Sequence, residues 1–272
     1  MWIPLSTVNG VVIILTRYPR TPYAYTEHPL VEHLRNCMDI ALKVSENWSL
    51  PEVICHRLKI AFKRSGVNID VSEDIIRYII KYSSLLHDIG KAAVEYQKQF
   101  NDDGSLRWRS EPSFRYHEVP SAVLTFRYLS RMDIEYELTM LASLAVLMHM
   151  STIRNPLSRD MDISLRNDRW LRYGWTISVY GDALSELLRA DIKLDVALGE
   201  ALDFIERARS YVSVKNRRHA KLYTLILLPI IVGDNVDSYN HRRKRGEKVS
   251  SSRLKFMKEI FYLYNLSGGD ML

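Results

Sequence analysis

From His28 onward the apolar residues recur at the three-and-four spacing of a helix, segment after segment, and this periodicity restricts the chain to a mostly α architecture. Leu30, Leu34, Cys37, Met38 and Ala41 make the first stripe, with His33 at the edge of that face. Pro51 opens a second helix that runs to about Lys63 and is closed by Gly66. Ser72 is placed to cap a third, with Glu73 and Asp74 in the first turn where the helix dipole favours acids. Its apolar residues, Ile75, Ile76, Ile79, Ile80, Leu85 and Leu86, carry it into His87-Asp88 and an end near Gly90. Further helices are expected over about Glu118 to Leu129, Glu135 to Met150, Asp182 to Ala190, Asp195 to Val212, Lys215 to Asn240 and Arg253 to Tyr264. Asn101 to Pro112 reads as a loop, and Ser151 to Tyr173 as a long, irregular, Arg-rich loop or lid. Val11 to Leu15, β-branched and bounded by Asn9-Gly10 and Pro19, is the one strand expected.

No repeat, low-complexity tract or linker divides the 272 residues, so one domain is the simplest organisation. With 47% apolar and 26% charged residues the chain has enough to bury, which excludes wholesale disorder. No run reaches the roughly 18 apolar residues of a membrane span, since Thr224 and Pro229 interrupt the most apolar stretch, Leu222 to Gly233. The apolar run at Val11 to Leu15 is too short for a signal peptide and has no basic region before it. Two cysteines, Cys37 and Cys55, make neither a disulfide framework nor a four-thiolate zinc site. A cytoplasmic protein without membrane contact is expected. Its net charge of +6 favours polyanionic partners, as it also favours simple solubility.

Of eight histidines, His33, His87, His117 and His149 lie within or at the ends of apolar helices. Taken singly, each is more often a satisfied core or surface histidine than a ligand, and only their arrangement argues for a site. His87-Asp88 stands where an apolar helix ends, so imidazole and carboxylate emerge together at the edge of the core, where a cation would compensate the carboxylate. Asp234 follows the apolar stretch Leu227 to Gly233. It reads either as a second such carboxylate or as an acid meeting solvent beyond a kink at Pro229.

The string Leu85-Leu86-His87-Asp88-Ile89-Gly90-Lys91 resembles the signature of the HD superfamily of metal-dependent phosphohydrolases. Glu32-His33-Leu34 upstream, and His117-Glu118, Ser121-Ala122, His149 and Asp234 downstream, follow in the order that superfamily uses. The pattern is most similar to the stand-alone HD nuclease of type I CRISPR systems, a subunit elsewhere fused to a helicase. The resemblance implies a single HD-type helical domain over residues 1–272, with a motif-bearing core of about 27–240 and a basic, helical extension at 241–272. It implies that His33, His87, Asp88 and Asp234 hold one divalent cation, and that Asp88, as a bridge, holds a second with His117 and His149. Asp88 and Lys91 would be catalytic, Lys91 meeting a substrate phosphate, and Ser238 stands where the family often has a small hydroxyl residue. One departure bears on the second ion: many relatives have two adjacent histidines where this chain has His149-Met150, and methionine is a poor ligand for a hard ion.

Mixed imidazole and carboxylate ligation suits Mn, Fe, Co, Ni or Zn better than Ca, and the resemblance puts manganese first. Arg242, Arg243, Lys244 and Arg245, shortly after Asp234, are candidates for nucleic-acid contact, with Lys215, Arg217, Arg218 and Lys221 before it. Arg154, Arg159, Arg166, Arg169 and Arg172 alternate with Trp170, Tyr173 and Trp175, so cations could track phosphates while rings stack on unpaired bases. Asp160, Asp162 and Asp168 offset three of those arginines, which also fits an ordinary solvated loop. No Gly-x-x-x-x-Gly-Lys-Ser/Thr phosphate loop occurs. The expected activity is metal-dependent cleavage of single-stranded DNA in antiviral interference, beside a separate helicase and an RNA-guided CRISPR complex. The alternatives are an HD phosphohydrolase acting on nucleotides or cyclic nucleotides, and a catalytically silent interaction subunit.

Overall fold

Helix starts and stops follow local chemistry closely. In the computed structural model, which describes residues 7–8, 11–12, 18–108, 110–213, 218–264 and 266, the first helix, α1 (Leu30–Asn47), buries Leu30, Leu34, Cys37, Ala41 and Val44 along one stripe. His33 lies fully inside this face rather than at its edge. The second, α2 (Leu50–Ser65), carries Pro51 in its first turn and ends at Gly66, whose φ of 68° is the left-handed turn glycine permits. In α3 (Glu73–Leu86) the Ser72 hydroxyl accepts from the Ile75 N–H at 3.2 Å, the expected cap. This helix stops at Leu86, and the backbone tightens into a 3₁₀ turn, Ile89–Ala92, before the short α4 (Val94–Gln97).

Two further helices pack against each other, α5 (Glu118–Arg131) and α6 (Tyr136–Met148). Every residue of α6 from Leu138 to Leu147 is buried, so it is the central helix of the core. The Arg-rich segment is not irregular throughout: α7 (Arg159–Asn167) forms there, capped by Ser158 and anchored by buried Met161 and Leu165. A short α8 (Gly181–Ser185) replaces the longer helix expected up to Ala190. Then follow α9 (Leu198–Ser213), a 3₁₀ turn (Arg218–Leu222), α10 (Tyr223–Lys244) and α11 (Ser251–Leu263). Pro229 lies inside α10, and the helix continues through it and through the basic residues up to Lys244.

Strands are few and short. Val11–Val12 (β2) pairs antiparallel with Thr7–Val8 (β1), while Ile13 to Leu15 of the expected strand lie outside the described residues, as do Lys215 and Arg217. A second hairpin, Tyr23–Tyr25 (β3) with His28–Pro29 (β4), was not expected; its turn places Glu27 at a φ of 59°. His28 therefore lies in a strand, not in the first helix. Buried Gln97 clamps this hairpin to the 3₁₀ turn: it accepts from the Tyr23 N–H and donates to the carbonyls of Tyr23 and Lys91.

The main core gathers α1–α3, α5, α6, α9 and the first half of α10, with a smaller cluster where α11 packs on α10 and the end of α1. The approach of α1 to α10 depends on Gly233. A Cβ built there would meet the Cys37 carbonyl oxygen at 2.5 Å and its Cα at 3.2 Å, distances that backbone atoms cannot relieve without moving a helix. Gly233→Ala is therefore expected to cost about 1–3 kcal/mol through overpacking, read as a fall of several degrees in the thermal unfolding midpoint.

Candidate metal centre

Helix ends, where side chains splay from the axis, supply most of the candidate ligands. His87 is the C-cap of α3 and Asp88 opens the 3₁₀ turn; His117 precedes α5, and His149 ends α6. His33 comes from the first turns of α1 and Asp234 from mid-α10. Three of these histidines are fixed in the same way. The Nδ1–H donates to the carbonyl three residues earlier: His87 to Ser84 at 2.7 Å, His117 to Phe114 and His149 to Val146 at 2.6 Å. That bond sets the tautomer and leaves Nε2 with an exposed lone pair.

All these Nε2 atoms face one carboxylate. Asp88, 1% exposed, has Oδ2 at 3.0 Å from His33 Nε2 and 3.5 Å from His87 Nε2. Its Oδ1 lies 2.8 Å from His117 Nε2 and 3.2 Å from His149 Nε2. Asp234 Oδ1 stands 3.7 Å from His33 Nε2 and 4.0 Å from His87 Nε2, and accepts the Tyr25 hydroxyl at 3.0 Å. All six candidate ligands thus converge. They fall into a His33–His87–Asp234 side and a His117–His149 side, with the two oxygens of Asp88 turned one to each.

The donor set fits a divalent cation. His87 Nε2 and Asp88 Oδ1 are buried without a hydrogen-bond partner, and His117 and His149 face each other Nε2 to Nε2 at 3.3 Å. Lone pairs opposed to lone pairs and to a carboxylate repel unless a positive charge lies between them. Burial opposes charge on both His117 and His149; Asp88 and the Val146 carbonyl outweigh it at His149, which rises above the ordinary range, while His117 falls below it. His33 rises well above the ordinary range despite burial, because the Cys37 sulfur and two carboxylates surround its ring. Asp88 stays well below the carboxylate range: burial raises it, but Lys91, His87 and His117 outweigh that.

Lys91 turns inward, not to solvent. It is 4% exposed, its Nζ is 2.5 Å from Asp88 Oδ2, and the Tyr25 and Phe114 rings flank it at 4.4 and 5.2 Å. Ser238 is buried and accepts from the Arg253 guanidinium at 3.2 Å. Cys37 Sγ is near the ligands but lies 3.6 and 3.7 Å from the two ring nitrogens of His33, hence over the face of that ring and away from the Nε2 lone pair; burial pushes its thiol up to about 12. Met150 is half-buried in the turn that follows His149. Tyr25, His28 and Asp237 were missed in the sequence. Asp237 alone carried a signal, standing three residues after Asp234 on the same face of the helix.

The basic residues divide. Arg242 and Arg245 line a cleft of about 520 Å³ with Tyr25, Phe114 and His241. Arg243 and Lys244 line another, of about 610 Å³, with Asn36 and Asp237. Arg245 also pairs with Glu27 and Glu247 and donates to the Thr26 carbonyl. Of the aromatic residues after His149, Trp170 and Tyr173 are exposed, but Trp175 is 1% exposed and donates to the Tyr96 hydroxyl, so it is core and no stacking platform. Arg154 is held between Glu118 and the Tyr116 ring. No helix among the described residues is long and apolar enough to cross a membrane.

The family model described as Cas3, HD domain matches residues 19–171, which include His33, His87, Asp88, His117 and His149. The chain is 30% identical over 238 residues to a CRISPR-associated endonuclease Cas3-HD of Saccharolobus solfataricus, covering 86% of this chain and 94% of that protein. It is 22% identical over 227 residues to the protein of the same description from Methanocaldococcus jannaschii, covering 78% and 86% respectively. A solved Cas3 HD domain protein from M. jannaschii superimposes with a TM-score of 0.51 at 19% identity, over 76% of this chain and 97% of that one, a likeness of fold. Sequence and fold agree: the chain belongs to the Cas3 HD-domain family and is an HD nuclease of the CRISPR-associated type.

Proposed function

We propose that this protein cleaves single-stranded DNA in CRISPR interference, taking its substrate from a separate helicase and an RNA-guided complex. One observation carries the reading: four imidazole Nε2 atoms lie within 3.5 Å of a single buried carboxylate, Asp88. His33, His87 and Asp234 are the proposed ligands of one ion and His117 and His149 of a second, with Asp88 shared. Manganese is the first choice, with Ni, Co, Fe or Zn behind it. When bound, such an ion neutralises phosphoryl oxygens and lowers the pKa of water from about 15.7 toward about 7.

The chain's own residues do the positioning. The Tyr25 hydroxyl, donating to Asp234, steadies that carboxylate, and Tyr25 itself lines the cleft that Arg242 and Arg245 border. Guanidinium groups there suit the phosphates of an extended strand. Lys91 balances Asp88 in the free protein and meets a substrate phosphate once cations take over that charge. The absence of a phosphate-loop motif in the sequence supports a separate helicase for unwinding. Residues 1–272 act as one nuclease domain, the basic end of α10 included. Two free thiols suit a reducing cytoplasm.

Incubation with manganese and either labelled single strands or a nucleotide panel tests the reading. Strands are expected to be cut, cleavage to stop on chelation, and Asp88→Ala to lower the rate by more than about a hundred-fold, since a direct ligand outweighs an outer partner. Nucleotides consumed while strands stay intact would overturn it. Arg242→Ala is expected to weaken single-strand binding evenly across sequences and to reduce the slope of log K against log salt by about 0.7, measured by fluorescence anisotropy.

A further inference from the structure

We infer that Asp237 is a positioning residue for the metal centre: it locks the His33 ring with Nε2 toward the ion and makes the His33–His87–Asp234 side the tighter of the two. The inference rests on the metal-dependent function proposed above. Asp237 Oδ2 lies 2.7 Å from His33 Nδ1, on the edge of the ring opposite Asp88. The same oxygen lies 2.7 Å from His28 Nε2, and Oδ1 accepts from the Asn36 amide at 2.7 Å. His28, His33 and Asp237 stand close enough to hold an ion themselves, but every Asp237 oxygen is already engaged by a ring or amide nitrogen. The carboxylate is therefore a support, not a further ligand.

His33 differs from its three companions in this support. His87, His117 and His149 donate Nδ1–H to neutral backbone carbonyls, whereas His33 donates to a charged, buried carboxylate. A hydrogen bond to a full charge draws the Nδ1 proton outward and leaves more electron density at Nε2, which strengthens that nitrogen as a metal donor. Asp237 is in turn held from outside. His28 stacks on His241 with ring centroids 4.3 Å apart and planes 11° from parallel, and His241 Nε2 donates to the Thr26 carbonyl. The hairpin, the end of α10 and the ligand-bearing face of α1 are thus joined through one carboxylate.

Manganese titration of the full-length chain by calorimetry tests this, with Asp237→Asn compared against wild type and Asp88→Ala. Asp237→Asn is expected to weaken the tightest binding step about 10- to 100-fold. Any weaker step stays at the wild-type value, while the thermal midpoint of the metal-free protein falls, because three buried hydrogen bonds lose a charged acceptor. An unchanged tight step overturns the inference. So does an equal weakening of every binding step, which would make Asp237 a clamp between helices only. If Asp88→Ala also binds as wild type does, the metal-centre reading itself fails. If Asp88→Ala loses the ion while Asp237→Asn keeps it, only the inference about Asp237 falls. Should Asp237→Asn not fold, His28→Asn leaves the carboxylate but loosens it. That variant is expected to weaken the same step several-fold, and wild-type affinity in it overturns the inference equally.

Discussion

Asp88 carries a negative charge 1% exposed to water, and the surrounding fold is arranged around that charge. An isolated carboxylate so placed would cost several kcal/mol or give up its charge by taking a proton. Here the Lys91 ammonium at 2.5 Å compensates it in part, and the four imidazole Nε2 atoms facing it complete a donor set that a cation would neutralise. Each imidazole arrives from a different element, so the carboxylate is where α1, α3, α5 and α6 meet. Their apolar faces supply the stability, and the polar centre dictates how their ends meet.

Close approach of helices makes the convergence possible. Gly233 lets α10 lie against the backbone of Cys37, and so sets Asp234 and Asp237 on either edge of the His33 ring. One helix face thereby delivers a carboxylate to the Nε2 side and another to the Nδ1 side. The break in helical backbone between Leu86 and Ile89 does similar work for His87 and Asp88. Adjacent residues on a regular helix point about 100° apart, and the break at Asp88, with φ −116° and ψ 8°, redirects the chain so that both reach the same centre.

The positive surplus of the chain is distributed with the same economy. Part of it is internal: Lys91 is buried, and Arg154 lies between Glu118 and Tyr116. Part gathers at the end of α10, where Arg242 and Arg245 border the cleft beside Tyr25. The arginine-rich segment after His149 stands apart as an ordinary capped helix, and its one buried tryptophan, Trp175, belongs to the core.

Periodicity and capping residues determined the helices at sequence level. The Ser72 cap, Pro51, Gly66 and the apolar stripes of α1 and α3 are local signals, because hydrogen bonds and burial patterns within a few residues produce them. The order of His33, His87-Asp88, His117, His149 and Asp234 also marked the candidate ligands, as a pattern of residue types along the chain. Their distances and tautomers were decided only in three dimensions. So was the role of Asp237, 204 residues from the His33 ring it holds. The Tyr25 hairpin likewise has too few residues to leave a periodic trace, and it exists because Gln97 clamps its backbone from another part of the chain. Contacts of that range depend on how packed helices bring remote positions together, and no local propensity encodes them.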